Sequence, residues 1–458
     1  MDPPTPGRPF VGRETPLARL AAAVDGARAD RAPLVLVSGE AGIGKTSLVA
    51  EAARRASGVE VGLGTCWAGP GAPGYWPWTQ ALGELASAAG PVATDLAEAD
   101  RRLLSGILPA FGPAPVGEEE DAGRARLRLF DAVCRWLVRL GRSRTVLVVL
   151  DDLQWADQSS LELLAFLARS RPGPGVVLIG VYRHDELRRP AAEVLGELAS
   201  RADTIHLGGL TVEEVGDLVA VVAGRERAGR WAQEVYRRSE GHPFFARELV
   251  HALGETGQGG VPRAVRAAIR RRLDRLAPPA RSALDAAALL GNRPDPDILA
   301  DALGGAREAV DDALGHALDA GVLAGPRDRP RFAHDLFREA VIEALPAASA
   351  LDLHHRLARA LEARHDRTGD VPPAEIAGHA IAALAIDGPD AALRWALAAA
   401  AADQGRLALA EAAAHLTRLR EALAGGSVTV AGGTWIDLLV AEAGALGRAG
   451  RPDEARQL

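Results

Sequence analysis

The stretch GEAGIGKTSL, residues 39–48, is the feature that most constrains what this chain can fold into. It matches G-x-x-x-x-G-K-[ST], the pattern of a phosphate-binding loop, with Lys45 and Thr46 at its end. The apolar run APLVLVSG precedes it, and the helix-forming run KTSLVAEAARRA follows it. A strand, a glycine-rich turn and a helix in this order are the context in which such a loop works. The stretch therefore predicts an α/β P-loop domain with a parallel sheet that binds nucleotide.

The composition of the chain supports a special role for this lysine. Lysine and arginine together number 53 in the 458 residues, and Lys45 is the only lysine. Since the chain uses arginine wherever either cation serves, we infer that arginine does not serve at position 45. An ammonium is a compact point charge that reaches the β and γ oxygens of a nucleotide, where a planar guanidinium fits poorly. Lys45 is therefore predicted to bind phosphate and to assist its transfer.

The residues around Lys45 are predicted to surround the phosphates. Glycines let the backbone turn sharply and direct successive N–H groups at the β-phosphate, together with the helix N-terminus. The hydroxyl of Thr46 is placed to bind Mg²⁺. A glycine-rich turn with an incidental lysine is the alternative interpretation, and the strand–helix context disfavours it. The predicted loop residues are Gly39, Glu40, Ala41, Gly42, Ile43, Gly44, Lys45, Thr46 and Ser47.

Two further strand ends carry candidate catalytic residues. The run RTVLVVLDDLQWAD ends an apolar strand in Asp151 and Asp152. Ligands of open α/β sheets bind beyond the carboxyl ends of the strands, so Asp151 is predicted to hold Mg²⁺ through a water and Asp152 to orient or deprotonate the attacking water. A turn residue is the alternative for Asp152. Arg183 follows the strand GVVLIGVY and is predicted to sense the γ-phosphate, although arginine is abundant throughout the chain.

The order of apolar and helical runs predicts four parts. Strand-like runs near 34–38, 59–65, 145–150, 176–182 and 203–208 alternate with helices and predict a parallel sheet. From Leu210 the strand-like runs stop, and a glycine-rich linker is predicted at 254–260. The predicted parts are a P-loop domain at 1–209, a helical lid at 210–256, a winged-helix domain at 261–346 and TPR-like helical repeats at 350–458.

Local signals add detail to this division. Thr211 with Glu214, and Ser159 with Glu162, match capping boxes at helix starts. The loop AGPGAPGYWPW, residues 68–78, is predicted to pack onto the P-loop domain through its aromatic residues. The arginine-rich segment VPRAVRAAIRRRLDRL predicts either a DNA-binding helix or a solvated face.

Composition excludes several classes of protein. The net charge of −7 does not favour general binding to polyanions. The start MDPPTPGRPF has neither a basic nor an apolar signal region, and no apolar run approaches 18 residues, so we expect a cytoplasmic protein without a membrane segment. Two cysteines, Cys66 and Cys134, are too few for a disulfide framework or a zinc site.

Taken together, these motifs resemble the STAND class of signal-transduction ATPases, which are related to AAA+ proteins, and in particular the N-terminal ATPase part of large LuxR-type ATP-binding regulators. FVGRETPLARL resembles the N-terminal motif of the class, which implicates Val11, Gly12 and Arg13 at the adenine. GHPFF resembles its lid motif, in which Pro243 would pack on the adenine. FAHDLFREAV resembles its winged-helix motif, which implies that His334 contacts the ADP β-phosphate and that Asp335 organises it.

The resemblance implies a switch controlled by ATP and ADP with Mg²⁺. ADP would hold the chain closed through His334, ATP would open it and permit self-association, and slow hydrolysis would reset it. The repeats would bind a small-molecule inducer or a protein partner. DNA would be bound through a C-terminal helix-turn-helix that this sequence lacks, so we expect a longer natural protein. The alternatives are an ATPase that uses its winged helix on DNA and a nucleotide-dependent scaffold with negligible hydrolysis.

Overall fold

The chain is mixed α/β in its N-terminal half and almost entirely helical beyond it, as seen in a computed structural model. The structure describes part of the chain. The described part does not include most of the predicted arginine-rich segment at 261–276 or the side chains at 122, 252, 255, 256 and 335. The residues described are 10–28, 34–67, 71–90, 96–112, 122–170, 172–256, 270, 273, 276–425 and 430–458.

Five strands form the predicted parallel sheet, in the spatial order β2-β3-β4-β1-β5. The first, third and fourth strands are buried along their whole length, as expected for the centre of a parallel sheet. Because β4 lies between β1 and β3, the carboxyl ends of these three strands meet at one edge. The strands are β1 (Leu34–Gly39), β2 (Val59–Thr65), β3 (Thr145–Asp151), β4 (Val176–Tyr182) and β5 (Asp203–Leu207).

Helices cover both faces of the sheet. Alternate residues of each central strand belong to different apolar clusters, Leu36 to one and Val37 to the other, since side chains alternate along a strand. Short 3₁₀ turns follow β3 at Leu153–Trp155 and β4 at His184–Glu186. The helices are α1 (Glu14–Arg28), α2 (Lys45–Arg55), α3 (Trp76–Ala89), α4 (Glu98–Leu104), α5 (Ala122–Gly141), α6 (Gln158–Ser170) and α7 (Ala191–Ala199).

Three helices follow the sheet and form their own small apolar core, which we call the three-helix unit. They are α8 (Val212–Ala223), α9 (Arg225–Ser239) and α10 (Pro243–Thr256). The predicted capping box of Thr211 and Glu214 is confirmed at the start of α8. The GHPFF motif separates two helices, because α9 ends at Ser239 and α10 begins at Pro243. The linker predicted at 254–260 begins too early, because α10 continues to Thr256. The rest of that range lies outside the described residues.

The next part, which we call the hairpin unit, combines four helices with a short antiparallel hairpin. Its strands are only two residues long, and Phe332 is buried with the helices. The same apolar cluster continues into the following helices as far as Ala399. The elements are α11 (Pro278–Leu290), α12 (Pro296–Leu303), α13 (Arg307–Asp319), β6 (Leu323–Ala324), β7 (Arg331–Phe332) and α14 (Asp335–Ala344).

The remaining part, which we call the helical array, stacks consecutive helices against each other. Buried alanines such as Ala396 and Ala412 let the helices approach closely. The helices are α15 (Ala347–Thr368), α16 (Pro373–Ala382), α17 (Leu384–Asp387), α18 (Pro389–Gly405), α19 (Leu409–Ala424), α20 (Gly432–Arg448) and α21 (Pro452–Ala455).

The start of α6 corrects one prediction. Ser159 does not form a capping box with Glu162, because the helix already begins at Gln158. Asp157 caps it instead, accepting hydrogen bonds from the backbone N–H and hydroxyl of Ser160 at 2.8 and 2.6 Å. The hydroxyl of Ser159 is therefore available to the helical array, which it contacts through Glu411.

The aromatic loop packs onto the P-loop domain as predicted. Tyr75 and Trp78 are fully buried, and Trp76 meets Trp67 edge to face. In the described part of the chain, no helix combines the length and the apolarity needed to cross a bilayer.

Candidate functional site

The predicted phosphate loop joins β1 to α2 in the strained geometry that its glycines allow. Gly39, Gly42 and Gly44 all have positive φ, a conformation that other residues adopt only at a cost. The helix begins at Lys45, whose ammonium donates to the carbonyls of Gly39 and Glu40 at 3.0 and 2.8 Å. Burial and the nearby guanidinium of Arg183 lower the pKa of Lys45. These two hydrogen bonds hold the ammonium of the lone lysine against the start of the loop.

The predicted magnesium ligands meet at the end of β3. The hydroxyl of Thr46 donates to Asp151 Oδ2 at 2.7 Å, and Asp151 is buried. A hydroxyl and a carboxylate are the hard oxygen ligands that Mg²⁺ prefers, with phosphate and water completing its shell. Among the described residues no three His, Cys, Asp or Glu side chains gather into a cluster, so a metal here would rely on this pair.

Asp152 and Arg183 lie side by side at the same edge of the sheet. Asp152 adopts the left-handed conformation at the end of β3, and its Oδ1 lies 3.6 Å from Nε of Arg183. Gln154 links them, because its amide donates to Asp152 Oδ1 at 2.8 Å and its carbonyl accepts from the Arg183 N–H at 3.0 Å. Arg183 lies between the phosphate loop and the acid pair because β4 lies between β1 and β3.

The N-terminal segment is fastened to the three-helix unit by Glu214. Glu214 Oε1 accepts from the Arg13 N–H at 2.7 Å, in addition to capping its own helix. A methyl group on Gly12 would lie 2.3 Å from that oxygen, so only glycine fits at this position. The guanidinium of Arg13 donates to the carbonyls of Gly208 and Ile43 at 2.6 and 3.3 Å. The segment thus lies beside the phosphate loop.

Two histidines from different units meet at Gly42. His242 Nε2 lies 2.8 Å from the Ala41 carbonyl, and its ring stacks on Phe245. A methyl group on Gly42 would lie 2.8 Å from His334 Nε2 and 2.9 Å from His242 Cε1. The three-helix unit and the hairpin unit therefore both contact the phosphate loop.

His334 is oriented by its own helix. Its Nδ1 accepts from the backbone N–H of Leu336 at 3.1 Å, which caps α14 and leaves Nε2 toward the loop. Its ring lies 4.4 Å from that of Phe244. Burial, together with the charges of Arg183 and Lys45, lowers the pKa of His334 to about 3. The ring is therefore neutral at pH 7, and Nε2 carries the proton that a phosphate oxygen could accept.

A cavity of about 680 Å³ lies among these units. Its walls also include Phe10, Arg247 and Arg331, and a volume of this order suits a nucleotide. The other predicted site residues are not among those that line it: Gly12, Gly39, Glu40, Ala41, Lys45, Thr46, Asp151, Asp152 and Arg183. The predicted residues that line the cavity are Val11, Arg13, Gly42, Ile43, Gly44, Ser47, Pro243 and His334.

Sequence reasoning missed several residues of this site. Gln154 and Glu339 carried no signal, because a single glutamine or glutamate in a helical segment is unremarkable. His242 belongs to the GHPFF motif, but the resemblance assigns a role only to Pro243. The organising role implied for Asp335 falls on a side chain outside the described residues.

The N-terminal half matches a known family. Residues 9–179 match the model of an AAA ATPase domain. The predicted relation to AAA+ ATPases is therefore confirmed for this part of the chain.

A solved structure extends the likeness to the whole fold. It is a STAND (signal transduction ATPase with numerous domains) protein with a tetratricopeptide repeat sensor from Pyrococcus horikoshii. The two chains are 17% identical with a TM-score of 0.56, and the match covers 99% of this chain and 64% of that one. At this identity the likeness shows the fold alone, which is a parallel five-stranded sheet followed by a mostly helical remainder, as predicted.

Two other proteins match less informatively. An uncharacterised protein of Rhizobium meliloti is 31% identical over an alignment of 185 residues, and the match covers 36% of this chain and 17% of that protein. The Walker-type ATPase of Pyrococcus abyssi is 16% identical, covering 74% of this chain and 99% of its own, but its TM-score of 0.36 is too low to support an argument. The chain thus spans 64% of its structural relative and less than a fifth of its curated one.

Proposed function

Residues 9–179 form an AAA ATPase domain in a chain with the fold of a STAND ATPase, and on this premise we propose that the protein is a signalling switch set by ATP and ADP. The observation that carries the proposal is the contact of His334, from the hairpin unit, with Gly42 of the phosphate loop. From this position the imidazole of His334 would contact a phosphate bound by the loop. The state of the nucleotide can thereby determine whether the hairpin unit stays docked.

The proposed chemistry is slow hydrolysis of ATP to ADP and phosphate. Lys45 and the loop N–H groups bind the phosphates, and Asp152 orients the attacking water and accepts its proton. Arg183 stabilises the charge of the γ-phosphate as it leaves. Mg²⁺, held through Thr46 and Asp151, would neutralise phosphate charge. The pairing of Thr46 with Asp151 at 2.7 Å supports this assignment.

The proposed switch follows from differential contacts in two states. With ADP, His334 donates to the β-phosphate and the hairpin unit closes over the nucleotide. With ATP this contact is lost, and the hairpin unit moves away. A ligand shifts such an equilibrium only by the difference in its affinity for the two states, so the contacts that change must lie at the phosphates. Val11, Arg13 and Pro243 would hold the adenine in both states.

The proposal also assigns roles to the hairpin unit and the helical array. We propose that the hairpin unit is a winged-helix domain and that the helical array consists of TPR-like repeats that bind an inducer or a protein partner. The open state would self-associate in the cytoplasm and regulate transcription as in LuxR-type regulators. Any contact with DNA would be made by a further domain rather than by the residues described.

Nucleotide titration and single-turnover hydrolysis with the purified chain test the proposal. We expect binding of both ADP and ATP–Mg²⁺ and a slow turnover that added DNA does not change. A chain that binds neither nucleotide would overturn the proposal. A rate that DNA stimulates and salt suppresses would instead favour a DNA-dependent ATPase.

A further inference from the structure

The guanidinium of Arg183 is engaged by the hairpin unit. Arg183 Nη1 donates to Glu339 Oε1 at 3.0 Å and to Glu186 Oε1 at 2.8 Å. The Arg183 side chain is only 5% exposed, whereas that of Glu339 is 49% exposed. Glu339 therefore reaches in from the surface to a buried cation that belongs to another part of the fold.

Glu339 and His334 belong to the same helix, His334 at its N-terminus and Glu339 near its middle. His334 caps α14, and Glu339 follows five residues later, which corresponds to about 7.5 Å along the helix axis. One contacts the phosphate loop and the other contacts the residue that would sense the γ-phosphate. A single movement of α14 would break both contacts together.

A carboxylate and a phosphate compete for the same guanidinium donors. Both accept charge-assisted hydrogen bonds from arginine in similar geometry. Nη1 already serves two carboxylates, and Asp152 lies 3.6 Å from Nε, so this guanidinium is surrounded by negative charge. A γ-phosphate bound to Arg183 would lie close to Glu339, and the two anions would repel each other.

We propose that Glu339 takes the place of the γ-phosphate on Arg183 and so makes the closed state selective for ADP over ATP. This inference rests on the proposed function and assigns the residue that discriminates between the two nucleotides. When ADP is bound, Arg183 keeps its hydrogen bond to Glu339, and α14 stays docked. ATP supplies a competing anion, Glu339 is released to solvent, and α14 departs with His334.

Binding constants for ADP and ATP–Mg²⁺ test the proposal in the full chain. Glu339→Gln removes the charge, and Glu343→Gln, an exposed glutamate on the same helix, is the matched control. We expect Glu339→Gln to tighten ATP binding about fivefold while ADP affinity changes less than about twofold. The control should change neither constant. A thermal unfolding midpoint close to that of the unmodified chain would show that both variants are folded.

A double-mutant cycle with Arg183→Met separates action through Arg183 from a general effect of charge. If Glu339 acts through the arginine, Glu339→Gln no longer changes the ratio of the two affinities in the Arg183→Met background. An unchanged ratio in Glu339→Gln alone, or an equal shift in Glu343→Gln, would overturn this inference and leave the switch standing. Failure of the unmodified chain to bind either nucleotide would overturn both.

Discussion

Among the described residues, two groups of contacts between the P-loop domain and the C-terminal half differ in kind. The front contact joins Gly42 to His334, which both line the cavity of about 680 Å³, and Arg183 to Glu339, which is half exposed. The back contact joins the aromatic loop and α6 to the helical array. There, the N–H of Gly74 donates to Asp403 Oδ1 at 3.0 Å, and the hydroxyl of Ser159 donates to Glu411 Oε2 at 2.6 Å.

The back contact is buried, and the carboxylates of Asp403 and Glu411 accept hydrogen bonds across it. Asp403 is 1% exposed, and His415 contacts it at 2.8 Å. Glu411 is buried as well, and burial raises its pKa together with that of the neighbouring Asp157. Separating such groups would leave polar side chains buried without hydrogen-bond partners, which costs free energy. At the front contact, Glu339 is half exposed, so water can replace Arg183 as its partner, whereas the buried Arg183 would need another anion.

The difference indicates which contact moves. We expect the front contact to open with the state of the nucleotide while the back contact holds the array in place. The four predictions that follow test this division, from the largest expected effect to the smallest.

Breaking the back contact should affect stability most. Asp403→Ala leaves His415 and the Gly74 N–H without their partner and should lower the free energy of unfolding by about 3 kcal/mol, measured by urea denaturation. Asp390→Ala, an exposed aspartate on the same helix, is the control and should cost less than about 1 kcal/mol. A loss for Asp403→Ala as small as that of the control would contradict the assignment of the back contact as the fixed one.

Removing the lysine should abolish the response of the front contact to nucleotide. Lys45→Ala should weaken ATP binding at least about a hundredfold in calorimetric titrations, because charge-assisted bonds to phosphate are lost. Lys45→Arg should also bind poorly, since a guanidinium fits this loop badly. Unchanged ATP affinity in Lys45→Ala would show that Lys45 does not bind the phosphates of ATP.

Removing the histidine should loosen the front contact alone. His334→Ala should raise ATP turnover or self-association about fivefold, measured by phosphate release and light scattering, because the closed state loses a contact. His316→Ala, an exposed histidine in the same unit, should leave both unchanged. If His334→Ala changed neither turnover nor self-association, His334 would not be the contact that holds the closed state.

Acidification should act on the two contacts in opposite directions. Burial and the charges of Arg183, His242 and Lys45 lower the pKa of His334 to about 3, whereas an exposed histidine titrates near pH 6.5. The stabilisation from neutral His334 is therefore complete above pH 6.5 and is lost as the pH falls toward 3. The raised pKa of Glu411 has the reverse sign, so its contribution is largest below its ordinary pKa of 4.5 and declines as the pH rises.

Hydrogen exchange at pH 7.5 and 5.5, corrected for the intrinsic pH dependence of exchange, measures this response. We expect α14 to lose protection at the lower pH while α19 keeps or gains it. Loss of protection in α19 ahead of α14 would reverse the assignment of the two contacts.

The sequence predicted the local elements well and the long-range contacts poorly. All five strands and the break at Pro243 follow from apolar runs, glycine and proline, which act over a few residues. The role of Ser159 was predicted wrongly because its partner, Glu411, is 252 residues away. Glu339 is likewise 156 residues from Arg183, and no local pattern marks such a pair.

The same limit applies within the site. The phosphate loop and the acids at 151 and 152 are identified by short motifs with a physical reason for each residue. His242 and Gln154 become visible only when the units are assembled, since their roles depend on partners from other elements.

Hydrogen exchange of the unmodified chain saturated with either ADP or ATP–Mg²⁺ tests the central claim most directly. The account predicts that residues 335–344 are protected with ADP and exchange faster with ATP, while residues 409–424 exchange equally in both. Equal exchange of residues 335–344 with the two nucleotides would contradict it.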